Sequence, residues 1–507
     1  MRNQIRIGLS ALATSVSLAV APAVAETPTF QMTTDIPPAI STPNEVDTSL
    51  GTLKFFDGVP TDGTVTSVYD YVDRARAVDV YIDTIPIVSM EALRAGGVAV
   101  GSDAPHKFLM AEDLLTGKPL VLTANTSTLY TWSFLDLERD GPTVIELPQG
   151  MLGALNDAYF RYLADLGVAG QDQGKGGKYL VLPPGYDGDV PDGYFVVKSD
   201  TNAVWVFMRG YLKDGLEAAV SNVKDNLNAY PLSKADAPPV AEFINVSEMA
   251  EYQTIPPNDI SFYEMLNDVV QREPIAFIAP ETRGRIAEIG IVKGKDFLPD
   301  ERMKALLTDA VAIGNAYARA NTVYPRDPGN RIYGPDSEWV MGFADKNTTF
   351  LTNGALNADA RLWMHYNAIV VTPAMAVTKP GVGSDYGIAG MAKGATVLDG
   401  AKTYKLTIPK GPPAKDFWAV TLYDTQTRSI IQTDQKFPTL GSQTDGVKKN
   451  DDGSYDIYFA PKAPDGMESN WLQTIPGKSW FIILRMYGPQ QAWIDKTWRP
   501  GEIELVE

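Results

Sequence analysis

The chain has 507 residues, 44% of them hydrophobic and 21% charged, enough for two or three domains with a sizeable core. A formal net charge of −18 offers no basic field to match phosphates, which disfavours anionic membranes and predicts no nucleic-acid partner. There is no cysteine, so thiol catalysis, disulfides, cysteine–zinc sites and iron–sulfur clusters are excluded.

The first residues, MRNQIR, form a short basic segment with Arg2 and Arg6, followed by the apolar run IGLSALATSVSLAV and then Ala23-Val24-Ala25. This is the pattern of a signal peptide over 1–25 cleaved after Ala25, and it predicts a periplasmic or secreted protein. The run is too short to anchor in a membrane, and no later segment nears the roughly 18 apolar residues a span needs, so no membrane insertion is expected. Residues 26–50 are rich in Thr, Pro and Ser without periodicity and read as a flexible leader.

From 64 to 95, Val68, Tyr71, Val72, Ala75 and Val78 recur at helical spacing, with Pro86 expected to kink or split the helix. From about 97 to 211 the pattern turns to short β-like runs, among them STLYTWSFLDL, PTVIELP, KYLVLP and AVWVFMRGY, separated by turn residues. Residues 214–321 are helical, with Asp214 and Asp300 as candidate N-caps, interrupted by a Pro-containing connector over 232–258. Strand patterns return from about 330, with AIVVTPAMAV, KTYKLTIP, FWAVTLYD, SYDIYFAP and SWFIILRMY; the last is continuous and apolar, which predicts burial on both faces. The domain reading is a β domain with a leading helix over 51–213, a helical insertion over 214–329 and a second β domain over 330–507.

The two β regions share a motif. GKYLVLPPGYDGDVPDGYFVVKSDTNAVWVFMRGY (177–211) is matched by GSYDIYFAPKAPDGMESNWLQTIPGKSWFIILRMY (453–487). Tyr179 and Tyr455 precede Arg209 and Arg485 by the same interval, and Tyr211 and Tyr487 follow two residues later. An internal duplication accounts for this order. The fold class is therefore mixed, mainly β: two jelly-roll-like sandwiches from an internal duplication, with helices before the first and between the two.

The C-terminal run GAKTYKLTIPKGPPAKDFWAVTLYDTQTRSIIQTD, with DDGSYDIYFAPKAPDG, SNWLQTIPG and ILRMYGP, resembles the bacterial domain DUF1214. The stretch from about 70 to 211, with ANTSTLYTWSFLDLERDGPTVIELP, resembles its usual partner DUF1254. The resemblance implies two jelly-roll-like domains, often behind a signal peptide, and no settled activity. Some relatives carry Asn-x-Asp-Thr-x-Tyr in the first domain. The matching residues here are Asn125, Ser127, Thr128 and Tyr130, so Ser127 stands where those relatives have a carboxylate. Asn125 and Tyr130 are candidate ligand contacts on this basis.

Candidate chemistry is sparse. His106 and His365 are the only histidines, so a three-histidine metal site is impossible within one chain, and no metal or cofactor is named by the residues. Asp136 and Asp424, read as ending corresponding strands of the repeat, are acid–base candidates for glycosidic hydrolysis or turn caps after strands. DGDVPDG and NDDGSYD read as hairpin turns rather than calcium loops. Asn470 and Trp471, in a polar loop, suit stacking and hydrogen bonding to a sugar or other flat ligand. Arg209 and Arg485 either bridge to aspartates or bind a carboxylate ligand. Two functions fit: a hydrolase or lyase acting on a saccharide or other polar small substrate between two domains, or a non-catalytic ligand-binding or oligomeric assembly protein. A homo-oligomer is compatible with either.

Overall fold

The computed structural model describes residues 30–506; the predicted signal peptide and its cleavage site lie outside them. The chain divides into two units, residues 1–69 and 70–507. In the first, β1 (Glu45–Thr48), β2 (Gly51–Phe56) and β3 (Val59–Pro60) form an antiparallel meander, so strand structure begins inside the stretch read as leader.

Helix α1 runs from Asp62 to Ala99 with Pro86 inside it, so the expected split does not occur. Val80, Ile85, Ile87, Val88 and Leu93 are all within 1% of full burial. At about 1.5–3 kcal/mol for each buried side chain, that packing outweighs the ~3 kcal/mol a mid-helix proline costs.

The N-terminal β region comprises β4 (Lys107–Met110), β5 (Leu129–Asp136), the short α2 (Leu137–Asp140), β6 (Thr143–Leu147), β7 (Met151–Asp157), β8 (Tyr162–Gly167), β9 (Gly177–Leu182), β10 (Phe195–Lys198), β11 (Ala203–Gly210), α3 (Leu216–Asn226), β12 (Asn228–Pro231) and β13 (Glu242–Asn245). Helices α4 (Ser261–Arg272), α5 (Pro280–Glu288) and α6 (Glu301–Val323) follow. The C-terminal region has β14 (Trp339–Val340), a small hairpin of β15 (Leu351–Thr352) and β16 (Ala355–Leu356), then α7 (Ala358–Asn367) and α8 (Pro373–Ala376). It continues with β17 (Ser384–Ala389), β18 (Met391–Ala392), β19 (Thr396–Val397), β20 (Tyr404–Ile408), β21 (Ala414–Asp424), β22 (Thr439–Gly441), β23 (Tyr455–Ala460), β24 (Trp471–Gln473), β25 (Trp480–Pro489), α9 (Gln491–Ile494) and β26 (Ile503–Leu505).

Each region carries two sheets with the same wiring. The N-terminal sheets have the orders β10-β9-β6-β12 and β13-β4-β5-β11-β7-β8; the C-terminal sheets have β24-β23-β20-β26 and β14-β17-β25-β21-β22. Matched in chain order, nine strands take equivalent places in these sheets; β13 is added in the N-terminal region, and the hairpins β15–β16 and β18–β19 stand outside the match in the C-terminal one. Pair directions agree as well: β10 beside β9 and β24 beside β23 are parallel, while β11 and β25 each lie antiparallel between two neighbours.

Side-chain alternation along these central strands decides what faces what. Val204, Val206 and Met208 of β11 join a core shared by the two N-terminal sheets. Ile482, Leu484 and Met486 of β25 do the same in the C-terminal pair. The intervening residues, Trp205 and Phe207 on one strand and Phe481 and Ile483 on the other, meet in a third core between the two larger sheets. Hence β25 is buried along its whole length, as its continuous apolar run predicts. Helices α1, α4, α5 and α6 pack in a separate apolar core that also takes Leu362 and Tyr366 of α7.

Several local expectations change. Asp300 caps α6 by accepting from the Met303 amide at 2.7 Å, but Asp214 caps nothing: Gly215 takes the N-cap position of α3 without a side-chain bond. AIVVTPAMAV is not a strand, because Thr372 caps and Pro373 starts helix α8. DGDVPDG connects two parallel strands, β9 and β10, and so is part of a crossover rather than a hairpin.

Candidate functional site

A cavity of about 230 Å³ lies in the core between the two larger sheets. One wall is strand-borne: Tyr130 of β5, Phe207 and Arg209 of β11, Tyr386 and Ile388 of β17, and Phe481, Ile483 and Arg485 of β25. The other is built from α6 (Arg319, Thr322, Val323), α7 and its exit (Trp363, Met364, Tyr366 to Val370), Met375 of α8, and the turn after β21 (Thr425, Arg428). Four arginines line it, and no Asp, Glu, Lys or His does.

Arg209 and Arg485 are 7% and 3% exposed. Each projects from the central strand of its sheet toward the same core as its apolar neighbours at i−2 and i−4, because strand side chains alternate. Arg209 stands opposite Tyr130 in the β11–β5 register, and Arg485 stands opposite Tyr386 in the β25–β17 register. Their guanidinium carbons lie 6.0 Å from the Tyr130 ring centre and 5.9 Å from the Tyr386 ring centre, respectively. Neither arginine forms an ion pair among the described residues, so the expected bridge to an aspartate is not made. Arg209 has only a 3.4 Å contact from Nη1 to the Tyr386 hydroxyl and a 3.6 Å contact from Nη2 to Met375 Sδ. Arg485 donates from Nη2 to the Thr123 and Ala124 carbonyls at 2.9 and 3.3 Å, and its buried Nη1 has no partner. Asp165 lines an adjoining small pocket with Arg209, but its carboxylate accepts from Thr372 and makes no ion pair with the arginine.

Around these cations stand tyrosine hydroxyls. The Asn125 amide donates to the Tyr130 hydroxyl at 2.6 Å, leaving the phenol proton free to be donated onward. Tyr386 receives the contact from Arg209 in the same sense, and the buried Tyr487 hydroxyl has no partner. Burial holds the Tyr130 and Tyr487 phenols above their usual range and pushes Tyr423 up to about 12, so they stay protonated and neutral at physiological pH. Arginine keeps its charge. Taking an uncompensated guanidinium out of water costs on the order of several kcal/mol, a cost that natural cores avoid unless the charge is used.

The residues proposed from sequence fall into two groups. Tyr130, Arg209 and Arg485 line the cavity, and Asn125 lies behind Tyr130. The Asn125 Oδ1 accepts from the Ser127 and Thr128 amides and the Thr128 hydroxyl, which fixes the turn that delivers Tyr130. Asp136, Asp424, Asn470 and Trp471 do not line it. Asp136 is the N-cap of α2, accepting from the Arg139 amide at 3.1 Å. Asp424 pairs with Lys478 and accepts from the Gln426 and Thr427 amides at 2.7 and 3.1 Å. Burial works to raise its pKa, but Lys478 and the two amides prevail and hold the carboxyl below the usual range. Asn470 spends its amide on the backbone of Lys448 and Asp456, and the Trp471 indole donates to the Ala460 carbonyl at 2.8 Å.

Nor do Asp136 and Asp424 end corresponding strands. Asp136 closes β5 and Asp424 closes β21, which flank their central strands on opposite sides of the shared wiring. The counterpart of Asp424 is Asp157, at the end of β7, which likewise pairs with a base, Arg161, and accepts from amides of its own turn. His365 lies among Phe160 and Phe350, its Nδ1 2.8 Å from the Arg361 carbonyl; burial lowers its pKa to about 3, so it is neutral. Among the described residues no cluster of His, Cys, Asp and Glu could hold a metal ion, and no helix is long and apolar enough to cross a membrane.

Sequence reasoning missed Tyr386, Arg319, Arg428, Trp363 and Met375. Tyr386 carried a signal, since it takes the place of Tyr130 once β17 is matched with β5, and Arg428 follows Asp424 by the same four residues as Arg161 follows Asp157; Arg319, Trp363 and Met375 come from helices with no counterpart among the matched strands.

Comparison with known proteins agrees with the motifs. Residues 105–231 match the family model DUF1254 and residues 385–491 match DUF1214, each described as a protein of unknown function. No curated protein matches the chain. The crystal structure of the VPA0106 protein from Vibrio parahaemolyticus is similar at 21% identity and a TM-score of 0.50, covering 86% of this chain and 100% of that one. An uncharacterised protein from Burkholderia cenocepacia is similar at 13% identity and a TM-score of 0.39, covering 88% of this chain and 97% of that one.

Proposed function

We propose that this chain, which pairs a DUF1254 with a DUF1214 domain, is an exported binding protein for a small organic anion with an apolar body. The anionic group sits between Arg209 and Arg485, and the body lies against Phe207, Phe343, Trp363, Phe481 and Ile483. The observation that carries the reading is the pair of buried guanidiniums without carboxylate partners in a mostly apolar cavity that no Asp or Glu lines. Guanidinium forks match carboxylates geometrically, and the tyrosine hydroxyls supply further donors. The volume falls just below the ~300–1,000 Å³ of typical small-molecule sites, which favours a compact ligand. A hydrolase or lyase using Asp136 and Asp424 draws no support from this cavity, because neither residue lines it.

The N-terminal sequence pattern supports export. The shared strand order supports an internal duplication. In each half the consecutive strands cross repeatedly between the two sheets, which supports a jelly-roll-like reading of both.

The test is a thermal-shift series on the purified protein with hexanoate, benzoate, hexylamine and glucose. A ligand that binds only the folded state raises the unfolding midpoint. The two carboxylates are expected to raise it, and hexylamine and glucose to leave it unchanged. A rise with glucose, or with hexylamine as large as with hexanoate, overturns the reading.

A further inference from the structure

The cavity holds a second pair of arginines on the opposite kind of wall, and it is built differently from the first. Arg319, from α6, donates to the Thr425 and Gln426 carbonyls, both at 3.2 Å. Arg428, 2% exposed, donates from Nε to the Tyr366 carbonyl at 2.9 Å and from Nη1 to the Gln426 carbonyl at 3.0 Å, with its guanidinium 4.0 Å from the Tyr366 ring centre. Its buried Nη2 has no partner. The first pair is carried by strands and the second by a helix and a turn; both make bonds to carbonyls, and Arg428 Nη1 also donates to the Tyr366 hydroxyl at 3.3 Å. The two pairs share no hydrogen-bond partner, and apolar side chains make up most of the remaining lining.

One monoanion answers one such pair. It leaves the Arg428 guanidinium buried in an apolar site with an unused donor, which is costly. Resting on the anion-binding reading above, we infer that the ligand carries two anionic groups joined by an apolar spacer, as in a dicarboxylate. One group meets Arg209 and Arg485, and the other meets Arg428 and Arg319.

The discriminating property is the sign of the effect of a second carboxylate. In a cavity with one anion subsite, adding a carboxylate to the far end of the ligand buries an unpaired charge and weakens binding. With two subsites it strengthens binding. The experiment is calorimetric titration of the purified protein with hexanoate and with adipate, which have the same chain length. Wild type, Arg428→Gln and Arg319→Gln are compared.

Adipate is expected to bind wild type at least about tenfold more tightly than hexanoate. Each substitution is expected to remove most of that advantage, because the second carboxylate loses its partner. Equal binding, or tighter binding of hexanoate, overturns the two-anion inference and leaves the anion-binding reading standing. Failure of both ligands to bind overturns that reading as well. Arg319 is partly exposed and its bonds go only to turn carbonyls, so its variant keeps the test informative if Arg428→Gln does not fold.

Discussion

Arg209 and Arg485 occupy the same place in two identically wired sheets: each projects from the central strand, opposite a tyrosine, into one shared cavity. Each half of the chain thus contributes an arginine–tyrosine pair, Arg209 with Tyr130 and Arg485 with Tyr386. The two pairs interlock, since Arg209 reaches the tyrosine that faces Arg485. Either half alone would present one guanidinium on an open sheet face, where water would satisfy it. Facing each other across an apolar layer, the two become a desolvated cationic site.

That cost gives a prediction that separates a functional arginine from a structural one. Arg209 makes no short hydrogen bond within the protein. Arg209→Met keeps an unbranched side chain, removes a buried charge and is expected to raise stability in urea by about 1–3 kcal/mol while reducing carboxylate binding. A structural arginine would destabilise on the same change. Equilibrium unfolding measured beside hexanoate titration checks both halves.

Asp424 is expected to act on stability and not on chemistry. It holds the turn that carries Thr425 and Arg428 to the cavity wall. Asp424→Asn is expected to cost about 1–3 kcal/mol. The folded carboxyl lies below its unfolded value, so this contribution is present above about pH 4 and is lost as the pH falls through the folded pKa. The difference between wild type and variant in urea midpoint should therefore be full at pH 7 and shrink in acid.

His365 sets a second pH dependence with a different window. Its folded pKa is about 3, against about 6.5 unfolded, so below pH 6.5 the unfolded chain takes up a proton the native state refuses. Stability from this group is complete above 6.5 and falls as the pH drops, by about 2 kcal/mol at pH 5. His365→Met, which keeps an apolar side chain between Phe160 and Phe350, should flatten the slope between pH 7 and 5 in urea titrations.

Asn125 links turn and site. Its carbonyl accepts three bonds and its amide holds the Tyr130 hydroxyl. Asn125→Ala leaves those donors without their partner and is expected to cost about 1–3 kcal/mol of stability, with weaker carboxylate binding. Unfolding by urea gives the first effect and calorimetry the second.

The sequence made the two β regions and the arginine repeat legible because strands and their turn residues leave short-range signals. Tyr179 and Arg209 lie on two strands, with Tyr211 just past the second, and their spacing survives in Tyr455, Arg485 and Tyr487. Matching Asp136 with Asp424 failed because both end an apolar strand, and strand ends look alike. Which side of the central strand each one takes is set by pairing between residues far apart in the chain. Asn470 and Trp471 looked free in a polar loop, yet their side chains satisfy backbone groups, a long-range outcome that composition cannot report. Arg319 was invisible for a related reason: a helix brings it to a cavity formed by strands elsewhere.

The most direct test of the central claim is calorimetric titration of hexanoate into wild type, Arg209→Gln, Arg485→Gln and the double variant at one salt concentration. Losing one buried charge partner is worth about 2–5 kcal/mol, so each single variant should weaken binding roughly thirtyfold or more, with no measurable binding in the double variant. A double variant that folds and retains wild-type affinity would contradict the account.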